Sequence, residues 1–448
     1  MIQLPLPFIK QMQDILGAEY EDFAASMQEK PPISIRLNPN KPEHEFDLQN
    51  PIPWTKMGYY LDTKPIFTLD PYFHAGHYYA QESSSMMLEY IIKQLPIHED
   101  SKVLDLCAAP GGKTTLLCGL LPSSCTIHAH EFHPFRSEIL RQNIERWGSP
   151  NTIVTSGKLH HLLRTHIQYD LILIDAPCSG EGMFRKEPDA IKQWNEKKID
   201  QCTTSQREIL NLAKSLVKPG GYIIYSTCTY NTLENEEMIQ EVLKDPNYKS
   251  ISINTDAISD IKIFEYNQGF TYKCFPHRIK GEGFSFSILQ NTMSPIEDKK
   301  LTTRDLLNHD QNDIVQTYID FSDPYHIIKN HEHDWLLPVP ISDLYFRLAQ
   351  SQVKILFAGI PLGHYKGKDW FPNHGLAMSY LLKKNIPTLI LNKLEAIDYL
   401  RANNHFSAAI NDDIWQIVHY QHANLGWVKC IQGKYKNYLP KHIRIHSL

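Results

Sequence analysis

Two cysteines in this chain stand where a thiol could act as a nucleophile. The apolar run 170–175 leads into Asp175-Ala176-Pro177-Cys178-Ser179-Gly180, and the run 222–227 leads into Cys228-Thr229. Thiolate is the reactive form of cysteine, and it serves covalent catalysis where its surroundings favour the charged state. A lone cysteine is usually a small buried hydrophobe. Two that follow matching strand ends, one behind an Asp-x-Pro turn, make a different pattern. The remaining six, Cys107, Cys118, Cys125, Cys202, Cys274 and Cys430, are irregularly spaced, and no C-x-x-C pair occurs. Zinc ribbons and a secreted disulfide framework are disfavoured, so free thiols are expected.

A second string has the character of a ligand loop. Asp105-Leu106-Cys107-Ala108-Ala109-Pro110-Gly111-Gly112-Lys113-Thr114 follows an apolar run and precedes a helical pattern. Two glycines there let the backbone approach a ligand at the carboxyl edge of a parallel sheet. Glu131 ends the next apolar run, nineteen residues after Gly112. An acid at that place commonly accepts from ribose hydroxyls. A nucleoside-containing cofactor is therefore expected. The dinucleotide fingerprint G-x-G-x-x-G is absent, and Cys107 stands where a P-loop needs its first glycine. S-adenosylmethionine carries no phosphate and suits the shorter turn. The plain alternative is a tight turn with no ligand. His128, His130 and His133 have a spacing open to a metal, but the first two fall in a run that reads as buried, with no nearby cysteine. No metal is expected.

The elements that must position these residues alternate. Strand-like runs at 102–106, 126–131, 152–155, 170–175 and 222–227 are separated by helical patterns at 113–121, 134–147, 205–217 and 233–243. That alternation predicts βαβ units and a parallel sheet. Before it, residues 8–27 read as helical. After Gln290 the composition shifts, and the polar, aspartate-rich stretch from Glu297 to Asp323 reads as a boundary. From about Tyr380 a smaller unit runs on with aromatic and glycine punctuation.

The 448 residues allow two or three domains. With 45 Lys+Arg against 50 Asp+Glu the formal charge is −5, which argues against a surface given over entirely to nucleic acid. No apolar run approaches the ~18 residues of a membrane span, and the start Met1-Ile2-Gln3-Leu4-Pro5 lacks a signal peptide's basic and apolar regions. A cytoplasmic protein with no membrane partner is expected.

Asp175-Ala-Pro-Cys178-Ser179 and Ser226-Thr-Cys228-Thr229 resemble the two signature motifs of the Sun-type RNA cytosine-C5 methyltransferases, and the string from Asp105 to Thr114 resembles their cofactor motif. The longer run from Asp175 through Gly182-Met183-Phe184-Arg185 to Asp189 is similar to the bacterial 16S rRNA branch, the RsmF-like group. Leu4-Pro5, Phe8, Leu16-Gly17, Ser34-Ile-Arg36-Leu-Asn38 and Tyr79-Ala-Gln81-Glu-Ser83 resemble the family's opening. Pro276-His277 and Gly281-Glu-Gly-Phe284 resemble its last catalytic motif. Gly359, Leu362-Gly363, Lys366 and Phe371-Pro-Asn-His374 resemble its linker, and Leu425-Gly-Trp427, Lys429, Lys436-Asn437 and Pro440-Lys441 its closing PUA-like domain.

The resemblance implies a Rossmann-like α/β methyltransferase domain, a mostly parallel doubly wound sheet at 96–292. Around it stand an N-terminal α+β RNA-binding region at 1–95, a linker or intermediate region at 293–380, and a PUA-like β-rich domain at 381–448. It implies S-adenosylmethionine held by Cys107, Ala108, Ala109, Pro110, Gly111, Gly112, Lys113, Glu131, Ser156 and Asp175. It implies that Cys228 is the nucleophile, that Cys178 assists release of the product, and that Asp175 contacts cytosine N3. The chemistry calls for such a set: C5 of cytosine is a poor nucleophile until a thiolate adds at C6, and the charge then entering the ring needs a proton or hydrogen bond at N3.

One departure stands out. The family usually offers a polar or acidic residue after the third strand, and here the string is Thr155-Ser156-Gly157-Lys158, with no acid. Arg185 and Lys186 flank the expected nucleotide path and are candidates for phosphate. Residues 421–448 hold Lys429, Lys434, Lys436, Lys441 and Arg444 with no acid, interleaved with Trp427, Tyr435 and Tyr438, a composition that suits RNA phosphates and unpaired bases. The expected partner is 16S rRNA of the small ribosomal subunit, bound by a monomer. A tRNA cytosine-C5 methyltransferase is the nearest alternative, and a non-catalytic ribosome-assembly factor a more distant one.

Overall fold

The computed structural model describes residues 2–294, 313–321, 323–329, 334–403 and 414–445. Most of the polar boundary stretch from Glu297 to Asp323 lies outside them. Among the described residues no helix is long and apolar enough to cross a membrane.

At the centre is a ten-stranded mixed sheet. Five parallel strands form its middle, side by side in the order Val217–Thr227, Tyr169–Asp175, Lys102–Asp105, Thr126–Glu131 and Thr152–Ser156. Both faces of this middle are covered, which is why its strands read as continuous apolar runs rather than alternating ones. Ile172, Leu173 and Ile174 are successive and all fully buried. The chain winds one way from Lys102–Asp105 and the other way through Tyr169–Asp175. The crevice at the carboxyl ends of those two neighbours is the switch point where such sheets bind ligands.

The flanks are antiparallel. Phe284–Asn291 pairs with Val217–Thr227, then Gly269–Cys274 and Lys262–Tyr266 continue outward. Those strands return by hairpins instead of helical crossovers; Asn267 (φ 39°) and Gln268 (φ 68°) make the tight turn between the last two, as a two-residue loop demands. On the opposite edge Lys354–Ala358 pairs antiparallel with Thr152–Ser156. The region 293–380, expected as a linker, thus adds a strand to the central sheet. It also builds a four-stranded sheet of its own from Tyr325–Ile328, Asp334–Pro338, Ile360–Lys366 and Asp369–Pro372.

The helix Pro134–Trp147 has proline in its first turn and ends at Gly148 in the left-handed region, as its sequence predicts. Glu196–Leu216 begins nine residues before the expected start at Ser205. Asn195 caps it by accepting from the Lys198 amide at 2.9 Å, and its polar first turns hid it from a reading based on apolar spacing. The expected helix 8–27 is two, Leu6–Leu16 and Tyr20–Ser26, broken at Gly17.

The N-terminal sheet orders Asn50–Pro51, Gly58–Leu61, Ile33–Leu37 and Tyr78–Tyr79. The C-terminal sheet orders Thr388–Leu391, Trp415–Tyr420, Ala423–Ile431 and Lys434–Asn437. The two units share one core, in which Ile35, Leu37, Tyr72 and Tyr78 meet Tyr399, Leu400, Leu425 and Leu439. At roughly 1.5–3 kcal/mol per large apolar side chain buried, this contact is a structural union.

Candidate active site

Cys178 follows the strand Tyr169–Asp175 and Cys228 follows its neighbour Val217–Thr227, so adjacent parallel strands deliver both thiols to one edge. Their Sγ atoms are 3.0 Å apart, and the Cys228 amide donates to Cys178 Sγ at 3.4 Å. The contact with Cys228, together with burial, pushes the Cys178 thiol well above its ordinary pKa. It stays protonated and is placed to donate toward Cys228.

Two buried carboxylates brace the loops. Glu234 accepts from the Ser179 amide at 2.9 Å and from Asn231 Nδ2 at 2.6 Å. Glu181 accepts from the amides of Tyr230 and Asn231 at 2.8 and 2.9 Å, and from Trp194 Nε1 at 3.1 Å. Gly182 donates its amide to the Cys228 carbonyl at 2.9 Å. A Cβ on Gly182 would lie 2.6 Å from the Gly283 carbonyl oxygen, and one on Gly283 2.4 Å from Tyr230 Oη. The loops around 182 and 283 therefore pack backbone on backbone, which only glycine permits.

Asp175 ends its strand beside these loops. Lys113 Nζ lies 2.6 Å from Asp175 Oδ2, and Ser226 Oγ donates to Oδ1 at 3.2 Å. Lys113 is the second residue of the helix Gly112–Leu120, whose entry at Gly111 (φ 110°) is left-handed. Arg36 fixes that entry from the N-terminal sheet. Its guanidinium donates to Gly112 O at 3.1 Å, Thr115 Oγ1 at 2.6 Å and Gln81 Oε1 at 2.8 Å.

A cavity of about 270 Å³ opens between these elements. Its lining takes Cys107, Ala108, Ala109, Pro110, Gly112 and Lys113 from the glycine turn, Asp175 and Cys228 from the strand ends, and Gln81, Met183 and Phe284 from the surrounding loops and strands. Eight of the residues singled out from sequence thus share one cavity. Gly111, Cys178, Glu131 and Ser156 lie outside its lining. Glu131 and Ser156 are in register on adjacent strands. Both Glu131 oxygens already accept main-chain amides, from His133 at 3.0 Å and Ala109 at 3.3 Å.

Asp105 is a wall residue that the sequence reading passed over. It is fully buried. Oδ2 accepts from Thr114 Oγ1 at 2.6 Å, and Oδ1 has no partner. Burial pushes its pKa up to about 7, with Asp175 adding to the rise. A buried carboxylate oxygen left open in a cavity wall invites a cationic ligand group. Burial and the carboxylates of Glu131, Asp105 and Asp175 keep Cys107 a neutral thiol.

Several expectations change. Arg185 is buried, held by Glu282 at 2.9 Å and by the carbonyls of Gly281 and Ser26, so its fork is filled by the protein itself, whereas Lys186 is exposed. Trp427 and Tyr435 are core residues, 1% and 8% exposed, not stacking surfaces. The partly exposed ring cluster is Tyr438 with Trp415, 4.5 Å apart between centroids, and Phe371 beside them. Lys429 and Lys436 lie over the first two rings. Trp415 sits upstream of the basic tail and was not singled out. His128 and His130 spend their ring nitrogens on Tyr169, Thr155 and the Gly157 carbonyl.

Residues 92–290 match the family described as 16S rRNA methyltransferase RsmB/F, residues 4–83 the N-terminal domain of 16S rRNA methyltransferase RsmF, and residues 387–445 the methyltransferase RsmF PUA domain. A protein of Escherichia coli O9:H4 (strain HS) named ribosomal RNA small subunit methyltransferase F is 27% identical over 99% of this chain and 97% of its own length. One of the same name from Shigella boydii serotype 18 is also 27% identical, with the same coverage. A solved methyltransferase homolog protein from Pyrococcus horikoshii is 26% identical with a TM-score of 0.53, covering 65% of this chain and 96% of its own. NSun6 from Pyrococcus horikoshii, solved with SFG, shares the fold at 20% identity and a TM-score of 0.52, covering 65% of this chain and 99% of its own.

Proposed function

The chain belongs to the 16S rRNA methyltransferase RsmB/F family, and from that premise we propose that it methylates C5 of a cytosine in small-subunit rRNA through a covalent adduct on Cys228. The observation that carries the reading is the pair of thiols 3.0 Å apart, of which Cys228 alone lines the cavity shared with the glycine turn and Asp175.

S-adenosylmethionine, when bound, supplies the methyl group as an electrophile on a sulfonium. The donor set fits it: a glycine turn without a phosphate cradle, a neutral Cys107, and the open Asp105 oxygen for its ammonium. Asp105, Cys107 and the turn 108–112 would hold it, and Glu131 keeps the turn in shape through the Ala109 amide.

Cys228 adds as thiolate to C6, which places electron density on C5. Asp175 holds the proton or hydrogen bond at N3 that the loaded ring requires, and Lys113 keeps that carboxyl pointed into the cavity. After transfer a solvent water takes the C5 proton, the C–H bonding pair re-forms the C5–C6 double bond, and Cys228 leaves C6 as the restored thiolate. Cys178, a protonated thiol in contact with Cys228, assists this release. The target base must leave its stack to reach a site this enclosed.

The test is bisulfite sequencing of 16S rRNA from a strain deleted for this protein and complemented with wild type or Cys228→Ala. Wild type restores a protected cytosine and the variant does not. Restoration by the variant overturns the assignment.

A further inference from the structure

A second cavity, about 590 Å³, lies at the junction of the N-terminal and C-terminal units. It is larger than the cysteine-lined one and shares no residue with it. Its walls carry Lys41, His77, Lys383, Lys384, His419 and His422 against a single acid, Glu43. Asn40 and Asn424 add amides, and Ile386 and Ile417 an apolar patch.

In a chain with net charge −5 this concentration of basic groups is local. Among the described residues none of the three lysines pairs with a carboxylate. Lys41 Nζ instead donates to the main-chain oxygens of Ala75 and Arg146, at 2.8 and 2.9 Å, and Lys383 Nζ donates to the Gln316 carbonyl. Burial, with Arg146 nearby, pulls Lys41 down to about 7. Burial, then Lys41, pulls His77 down to about 3. Burial disfavours the charged forms of Lys41 and His77, the one acid in the wall, Glu43, lies 3.6 Å from His77 Nδ1, and a bound anion would offset that penalty. Its basic groups come from three separate parts of the chain, around 41–77, 383–384 and 419–422, so the site exists only where the units dock.

We infer that this cleft takes a phosphodiester of the RNA substrate, with Lys383 and Lys384 making the ionic contact at its mouth and Lys41 and His77 behind them. The inference rests on the reading of the enzyme as one acting on rRNA. A phosphate clamped at the docking seam anchors the RNA at a place that shares no residue with the cavity where the base reacts.

The test uses the full chain saturated with S-adenosylhomocysteine, a transcript of 16S rRNA, and the double variant K383E/K384E. Affinity is measured across salt concentrations. Each phosphate contact contributes about one to the slope of log affinity against log salt, so the variant should lose about one to two from that slope and roughly tenfold in affinity at 0.1 M salt. S-adenosylhomocysteine affinity should not move. Equal affinity and slope for wild type and variant overturn the inference. Adenosine 5′-monophosphate is titrated in parallel. If it binds wild type but not the variant while RNA binding is identical in both, the cleft serves a free nucleotide and the RNA assignment fails. Methylation of the transcript by wild type is scored separately, so a failure of the rRNA reading shows itself there.

Discussion

The Sγ atoms of Cys178 and Cys228 touch at 3.0 Å across fifty residues of sequence. Cys178→Ala should remove the release step and accumulate a protein–RNA adduct that survives a denaturing gel. Cys228→Ala should give neither adduct nor methylated RNA. An adduct formed by Cys228→Ala would show that a residue other than Cys228 is the nucleophile.

Asp175→Asn keeps the size and the contact with Ser226 but loses the charge that Lys113 holds. The methyl-transfer rate in a single turnover should fall about 10²–10⁴-fold, the span usual for a group that exchanges a proton with the reacting base. S-adenosylhomocysteine affinity should change far less. A rate within threefold of wild type would remove Asp175 from the chemistry.

Asp105 makes the unliganded protein sensitive to pH. Its folded pKa, about 7, is above the ordinary 3.8, so the folded state keeps a proton that the unfolded state releases. Stability is therefore lost as pH rises from about 4 to about 7, by roughly 3–4 kcal/mol over that window. Asp105→Asn should flatten this loss in apo thermal unfolding, and should also abolish a rise in S-adenosylhomocysteine affinity between pH 6 and 8 as the carboxylate forms. Parallel pH profiles for the two proteins would contradict both statements.

Arg36→Met strips the hydrogen bonds that hold Gly112, Thr115 and Gln81 to the N-terminal sheet. The expected cost is about 2–4 kcal/mol in chemical unfolding, with weaker cofactor binding, because the same bonds set the glycine turn. Undiminished cofactor affinity would mean that the turn holds its shape unaided.

Trp415→Ala and Tyr438→Ala should each weaken RNA binding by about 1–3 kcal/mol, the range for one base stacked on an aromatic ring, without lowering stability as much. Trp427→Ala should do the reverse and cost about 3–5 kcal/mol of stability through the cavity it leaves. Binding titrations and unfolding curves separate the two effects.

Much of the candidate site was legible because parallel strands and their glycine turns follow local patterns. The runs ending at Asp105, Glu131, Asp175 and Thr227 carry their own apolar signal, and the topology then brings Cys178 to Cys228. Arg185 was read as a phosphate ligand because its buried partner, Glu282, lies ninety-seven residues away in sequence. Trp427 looked available because a basic stretch surrounds it, yet it is buried in a core with Val315, Ile319, Leu336, Leu362, Leu376 and Ile417. Asp105 was overlooked since an acid ending a strand has nothing local to mark an unpartnered oxygen. The added strand Lys354–Ala358 owes its place to pairing across two hundred residues with Thr152–Ser156.

The core shared by the N-terminal and C-terminal sheets sets an order of events during synthesis. Ile35, Leu37, Tyr72 and Tyr78 leave the ribosome early, but the residues that cover them, Tyr399, Leu400, Leu425 and Leu439, follow more than three hundred residues later. At ~5–20 residues per second the first sheet waits on the order of tens of seconds with an apolar face uncovered. For that interval the apolar face has no cover from its own chain, and the cleft at the seam, which needs Lys41 and His77 together with Lys383 and His422, cannot form until His422 has been made.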